Sequence, residues 1–131
     1  MEVSEGTTAA CLAGAQEKLA LLRRNGFEVA LDDLGAGHAG LGSLARLQPQ
    51  YAKVDRELIR DIHTDPLRQK IARGLVAMCR ELDVQLIAEG VERVEELETL
   101  AAAGCDLYQG FLFCRPQRPF PAVSWPVRPI R

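Results

Sequence analysis

The chain has 131 residues, a formal net charge of −2 and an apolar fraction of 47%. This length and composition support one domain with a single hydrophobic core, and the near-neutral charge argues against a nucleic-acid duplex as a partner. No apolar run approaches the roughly 18 residues of a membrane span, and no signal peptide precedes the first strand. The sequence therefore predicts a cytoplasmic protein without membrane insertion.

Five short apolar runs, each ending near an acid or an amide, predict five strands. The runs cover residues 1–5, 27–31, 51–56, 84–92 and 107–113. Their polar endings are Glu2, Asp32 and Asp33, Asp55, Glu89 and Glu92, and Gln109. Polar groups at the carboxyl ends of successive buried strands are the expected layout of a (β/α) barrel active site.

Helical patterns lie between these strands. The predicted helices cover residues 12–22, 41–47, 65–82 and 92–103. Asp65 and Pro66 are typical of an N-cap and a first helical position, while Gly26 and Gly104 are typical stops for the first and last helices. Because strand and helix alternate throughout, the fold class is α/β with parallel strands.

Asp32 and Asp33 are the strongest of the polar strand endings. Side chains alternate between the two faces of a strand, so neighbouring aspartates converge only where the strand ends and its backbone bends. Two carboxylates held together repel each other unless a proton or a cation lies between them. This favours a site for a hard cation such as Mg²⁺ or Mn²⁺. The alternative is that both acids cap the following turn.

Four motifs together resemble the second half of the EAL domain, in order and in spacing. The motifs cover residues 32–37, 53–56, 87–92 and 109–113. The resemblance runs from Met1 to about Pro119 and implies a partial TIM-like (β/α) barrel with about five mostly parallel strands. Members of that family are phosphodiesterases or receptors for cyclic-di-GMP. A complete domain would hydrolyse this dinucleotide to linear pGpG with the help of divalent cations.

The resemblance also implies roles for individual residues. Asp32, Asp33, Glu2 and Glu89 match metal-binding positions for Mg²⁺ or Mn²⁺. Lys53 matches a catalytic lysine near the attacked phosphate, where its charge offsets developing negative charge, and Glu89 also matches a general base. The supporting or ligand-binding positions are Asp55, Glu92 and Gln109. Taken singly, each is also compatible with a strand-end cap or a solvated charge, a reading that is strongest for Glu92.

The chain departs from the family pattern in the sequence of one loop and in lacking two of the family's motifs. Residues 33–40 lack the hydroxyls and the aromatic ring of the family's loop, and His38 occupies the family's tyrosine position rather than marking a metal ligand. The family's glutamate-alanine-leucine motif and a metal-binding asparagine precede the position of Glu2. A TIM barrel takes about 250 residues, at least 200. We therefore expect the fragment to be inactive alone. Either a homo-oligomer or a partner chain completes the barrel, or the chain is a truncation, or the sheet closes differently.

The chain changes character near its end. Residues 1–119 are predicted as the barrel portion, and the proline-rich residues 120–131 as an extended tail that leaves it, with Trp125 as an anchor to the surface. The four cysteines lack metal-type spacing and are expected to be reduced and largely buried. Three functions remain open: part of a cyclic-di-GMP phosphodiesterase, a binding module without hydrolysis, and an interaction module.

Overall fold

The computed structural model of the chain describes residues 2–3, 9–35, 40–117, 122–123 and 125, with side chains described from residue 16 onward. Strands and helices alternate along these residues, which confirms the α/β class. The elements are β1 Glu2–Val3, α1 Ala9–Arg24, β2 Ala30–Leu34, α2 Gly40–Leu47, β3 Tyr51–Val54, α3 Arg56–Ile59, α4 Pro66–Glu81, β4 Gln85–Glu89, α5 Val94–Ala102 and β5 Leu107–Gln109. A 3₁₀ turn, Ile62–Thr64, separates α3 from α4.

The five strands form one sheet in the order β1–β2–β3–β4–β5. Every neighbouring pair is parallel. Consecutive parallel strands joined by helical crossovers are the arrangement found in (β/α) barrels. The prediction of a partial TIM-like barrel with about five parallel strands is therefore confirmed.

The sheet has two unlike faces. One face, which we call the covered face, carries Leu31, Ala52, Val54 and Ala88. These residues are buried within two hydrophobic clusters that also contain helix residues. Alternation along the paired strands places another set of side chains on the opposite, open face. This set consists of Asp32, Tyr51, Lys53, Gln85, Ile87, Glu89, Leu107 and Gln109. All of these except Lys53 are half-buried or exposed.

Helix ends follow the local signals of the sequence. Asp65 accepts hydrogen bonds from the backbone N–H groups of Leu67 and Arg68, and Pro66 is the first residue of α4, as predicted. A cap of this kind typically stabilises a protein by about 1 kcal/mol. Gly26 and Gly104, which follow α1 and α5, both have a positive φ that glycine adopts without strain.

Several predicted boundaries were wrong, and three of these differences concern the site. The second strand is Ala30–Leu34 rather than residues 27–31, so it contains both aspartates instead of stopping before them. The fifth strand ends at Gln109, because residues 110–113 form a turn closed by a hydrogen bond from Phe113 N–H to Gly110 C=O. The last helix begins at Val94 rather than at residue 92, since Glu96 accepts the backbone N–H groups just before it.

Part of the predicted tail lies on the sheet. The Trp125 ring packs edge-on against Phe113, with ring centroids 5.1 Å apart, and against Tyr108 at 6.4 Å. This contact agrees with the predicted anchoring role. Residues 118–121, 124 and 126–131 of the predicted boundary and tail lie outside the described residues. Among the described residues, no helix has both the length and the apolar character needed to cross a bilayer.

The cysteines with described side chains are free thiols. Cys79 and Cys105 are buried and Cys114 is half-buried, while the side chain of Cys11 lies outside the described residues. Burial, together with the nearby Cys105, raises the pKa of the Cys79 thiol to about 11. Burial also raises the pKa of Cys105, although backbone hydrogen bonds partly oppose it. Thiols that are protonated at neutral pH behave as small apolar core residues.

Candidate active site

An irregularity in β2 places both aspartates opposite one residue of β3. Leu31 pairs with Ala52, but the next pairing joins Leu34 to Val54, so two residues of β2 span the space of Lys53 alone. Such a bulge interrupts the strict alternation of side chains and is frequent beside active sites. It explains how consecutive acids come to lie at the same strand end.

The two aspartates are not equivalent in this bulge. Asp33 has a φ of 57°, in the left-handed region that aspartate tolerates better than most residues. Its backbone N–H donates a 3.1 Å hydrogen bond to Asp32 Oδ1. Asp33 is exposed, whereas Asp32 is half-buried and faces Lys53. The predicted pair is therefore close in the backbone, with only Asp32 in direct contact with a described charge.

Lys53 is the centre of the site. Its Nζ lies 2.6 Å from Glu89 Oε1 and 3.6 Å from Asp32 Oδ1, and its side chain is only 8% exposed. The three residues come from three adjacent strands, β3, β4 and β2. One ammonium is shared by two carboxylates, so the cluster keeps an excess negative charge to which Asp33 adds. This excess negative charge attracts a cation such as a divalent metal ion.

The strand ends of β4 and β5 are locked together next to Glu89. Gln109 pairs with Glu89 in the sheet, and its C=O accepts a 3.1 Å hydrogen bond from Val91 N–H. Val91 C=O in turn accepts one from Leu112 N–H. A Cβ on Gly110 would lie 2.0 Å from Val91 O, so only glycine allows this close approach. Gln109 is consequently held beside Glu89 at the same sheet edge.

Asp55 and Glu92 occupy the loops that follow β3 and β4. Asp55 is the N-cap of α3 and accepts a 3.3 Å hydrogen bond from Glu57 N–H. Arg56 Nη2 lies 3.1 Å from Glu92 Oε1, and both side chains are well exposed. The structure thus gives Asp55 a capping contact and Glu92 a surface ion pair. The arginine that links the two loops was not singled out from the sequence.

The structure describes some of the predicted site residues only in part. Glu2 lies in β1 and its backbone pairs with Ala30, two residues before Asp32, but its side chain lies outside the described residues. The loop that contains His38 also lies outside them. The nearest ligand oxygens of Asp32, Asp33 and Glu89 do not all fall within 4.8 Å of one another. Carboxylate oxygens at one sheet edge are nevertheless the ligands that Mg²⁺ and Mn²⁺ prefer.

Sequence reasoning missed one buried acid close to these loops. Glu96 is 2% exposed, and its two carboxylate oxygens accept backbone N–H groups from Asp61, Glu92 and Arg93. It joins the connector after α3 to the loop after β4. An acid at the third position of a helix is the signal for such a cap, and the misplaced start of α5 concealed it.

The family profile of the EAL domain matches residues 1–116 of the 131-residue chain. The chain belongs to the EAL domain family. The match confirms the resemblance found from the four sequence motifs.

Similar proteins fall in the same family. Over 100 residues the chain is 42% identical to the cyclic di-GMP phosphodiesterase PdeR of Escherichia coli, covering 76% of this chain and 15% of that protein. A Klebsiella pneumoniae BlrP1 structure, a manganese/cy-diGMP complex, matches with 44% identity and a TM-score of 0.80, covering 88% of this chain and 29% of that one.

A standalone EAL protein from Vibrio cholerae, in a c-di-GMP bound form, has a TM-score of 0.86 and 36% identity. That match covers 94% of this chain and 52% of the other. The chain thus spans between 15% and about half the length of these relatives.

Proposed function

We propose that this chain supplies the later strands of a cyclic-di-GMP phosphodiesterase site. The observation that carries the proposal is Lys53, held between Asp32 and Glu89 at the carboxyl ends of three adjacent strands. PdeR is a cyclic di-GMP phosphodiesterase, and the BlrP1 and Vibrio cholerae structures contain the dinucleotide. The reaction would be metal-assisted hydrolysis of one phosphodiester bond to give linear pGpG.

Each residue of the site has a proposed task. Asp32, Asp33 and Glu89, with Glu2, would hold Mg²⁺ or Mn²⁺, because their oxygens form a hard donor set. When bound, such an ion polarises the phosphodiester and makes its water a stronger nucleophile. A lysine at the position of Lys53 stabilises the growing negative charge on the phosphate, and Glu89 accepts the proton of the attacking water.

The supporting residues would orient this set. Asp55 fixes the start of α3 directly after Lys53, and Gln109 lies next to Glu89 in the register of the sheet. Glu92 would hold the loop after β4 through Arg56. These three residues act on the position of the site rather than on the reacting bond.

A titration with Mn²⁺ tests the metal part of the proposal. We expect weak, saturable heat in calorimetry, and Asp32→Asn should abolish it. Asp106→Asn, the same change on an acid that precedes β5 and is 85% exposed, should leave the binding unchanged. Equal heats for the parent chain and Asp32→Asn would refute the proposed metal ligands.

Hydrolysis is expected to be negligible for these 131 residues alone. The sequence contains no glutamate-alanine-leucine tripeptide, which in the family supplies a further metal ligand. Removing one preorganised electrostatic group typically costs about 10²–10³-fold in rate. Incubation with cyclic-di-GMP and Mn²⁺ followed by chromatography provides the measurement. Linear product at a rate typical of enzymes would show that these residues suffice.

A non-catalytic binding role is the second candidate. The direct contact between Lys53 and Glu89 favours it, because an acid already engaged at 2.6 Å is less free to act as a base. In that case calorimetry would detect cyclic-di-GMP binding even where chromatography detects no linear product. Loss of that binding in Lys53→Met, with retention in Lys70→Met, would place the dinucleotide on the open face.

The edges of the sheet are the proposed contact with a second copy of the chain. β1 and β5 each pair on one side only within the described residues, and Leu107 of β5 is half-buried. Exposed strand edges favour association. Light scattering should give a mass above 14.4 kDa, and Leu107→Glu should lower it. Leu67→Glu, on the exposed surface of α4, is the matched control.

A further inference from the structure

A second group of metal-ligating side chains lies outside the proposed active site. Asp61 and His63 belong to the connector between α3 and α4, and Glu96 to the first turn of α5. One donor atom of each residue lies within 4.8 Å of the other two. No task in the proposed phosphodiesterase site requires these three residues together.

The connector is held in a fixed shape. Asp61 has a φ of 56°, and its C=O accepts hydrogen bonds from both the backbone N–H and the hydroxyl of Thr64, at 3.0 and 2.9 Å. The side-chain amide of Gln69 donates to the carbonyls of Ile62 and His63. Ile62 is fully buried between the two ligand positions. The donors are therefore preorganised, which reduces the entropy that a bound ion must overcome.

Each carboxylate keeps room for a further partner. Glu96 Oε2 accepts two backbone N–H groups, from Glu92 and Arg93, whereas Oε1 accepts one, from Asp61, at 2.9 Å. Because a carboxylate oxygen has two acceptor positions, one remains at Oε1. Asp61 Oδ1 contacts Arg93 Nη1 at 3.1 Å, while Oδ2 has Arg60 Nε only at 3.9 Å, too far for a hydrogen bond.

The imidazole adds an independent sign of a missing partner. His63 Nδ1 is buried, and within the described part of the chain it has no hydrogen-bond partner. A buried polar atom without a partner is uncommon and is often explained by an ion or a water. We propose that Asp61, His63 and Glu96 bind a divalent metal of the zinc type. One imidazole and two carboxylates, with a water as fourth ligand, match the donors of a tetrahedral Zn²⁺ site.

The surrounding charges set the strength and the consequence of binding. Arg93 and Arg60 both contact Asp61, and their two charges offset those of Asp61 and Glu96. A bound Zn²⁺ therefore leaves net positive charge and binds more weakly than at a thiolate site. The ion would tie the connector before α4 to the start of α5. Glu92 and Arg93 precede that helix directly, so the metal would brace the loop after β4.

Histidine NMR on the 131-residue chain tests this site directly. The sequence contains two histidines, so His38→Asn and His63→Asn assign the ring signals and serve as matched variants of each other. Titration with Zn²⁺ alone should shift the His63 signals in a saturable way, and Asp32→Asn should not change that titration. Because only histidine ring signals are observed, Zn²⁺ bound at a cysteine thiol is not mistaken for binding at His63.

The carboxylate variants decide the outcome. Glu96→Gln and, separately, Asp61→Asn should weaken the Zn²⁺-dependent shift of His63 by at least ~10-fold. Far-ultraviolet circular dichroism verifies that each variant is folded, and Asp61→Asn keeps the test valid if the Glu96 variant unfolds. No saturable shift at His63, or a shift that survives both variants, would overturn the proposal and leave a buried water as the partner of Nδ1.

Discussion

On the covered face of the sheet, Leu31, Ala52 and Val54 are at most 2% exposed, and helices pack over them. On the open face of the same strands, Asp32 and Glu89 converge on Lys53, and Ile87 remains half-buried. Neighbouring residues of one strand thus serve different purposes. The covered face therefore determines folding, whereas the open face holds the charges on which the proposed chemistry depends.

The largest expected difference between the faces is in the free energy of unfolding. Leu31→Ala, on the covered face, should lower it by about 2–5 kcal/mol, because the substitution leaves a cavity in a packed core. Ile87→Ala, on the open face, should lower it by only about 1 kcal/mol, because this side chain is half-buried. Urea unfolding of both variants measures this. Similar losses would mean that the open face is buried in solution.

Removing the central charge should have the next largest effect. Lys53→Met leaves Asp32 and Glu89 facing each other without their shared cation, which should cost about 1–3 kcal/mol given their partial exposure. Added Mn²⁺ should recover part of the loss, since a divalent ion can take the same position. Lys70→Met, on the exposed surface of α4, is the control. If added Mn²⁺ leaves the free energy of unfolding of Lys53→Met unchanged, this would argue against the cation site.

The core that packs against the covered face should also respond to alkaline pH, through the thiol of Cys79 in α4. The pKa of Cys79 is about 11 in the folded chain because of burial and lies near 9.0 for a free thiol. A raised pKa means that its contribution to stability is complete below about 9 and is lost as the pH rises through about 11. Urea unfolding at about pH 8 and about pH 10.5 measures the loss.

Other groups also titrate in that range, so the comparison needs a variant. Cys79→Ala removes the thiol from the core against the covered face, and the pH dependence of the variant's stability should be shallower than that of the parent chain. Burial raises the pKa of Tyr108 from 10.0 to about 12, so the contribution of this ring is lost between about pH 10 and 12, mostly above the range compared. Parallel curves for parent and variant would contradict the role of Cys79.

The smallest effect is expected at the exposed loop pair. Glu92→Gln removes the ion pair with Arg56, in which the two side chains are 41% and 53% exposed. Surface pairs of this type contribute between about 0 and 1 kcal/mol. A double-mutant cycle with Arg56→Gln measures the coupling. A coupling above about 2 kcal/mol would show that the loop after β4 depends on this pair.

Much of the fold follows from local rules. Asp65 and Pro66 mark the start of α4, and Gly26 and Gly104 follow the ends of two helices, because each signal acts within a few residues. The number and direction of the strands also follow from the alternation of patterns. Strand boundaries do not, since the position of β2 depends on how it pairs with β3.

The site was predictable as a set of residues but not as a geometry. The acids at the strand ends and Lys53 are visible in the sequence. The bulge that sets Asp32 and Asp33 against Lys53 requires knowledge of the β2–β3 register, which no local pattern specifies. Glu96 was missed because the predicted start of α5 was two residues too early, and its contact with Asp61, 35 residues away, is visible only in three dimensions.

The packing of Trp125 gives the molecule an optical reporter. It is the only tryptophan in the chain, and it stands edge-on to Phe113 and Tyr108 while remaining 57% exposed. Trp125 and Gln109 line the same pocket beside the end of β5. The emission spectrum of the intact chain is therefore sensitive to events at the Gln109 edge of the sheet, without any attached dye and without disturbing the residues of the covered face.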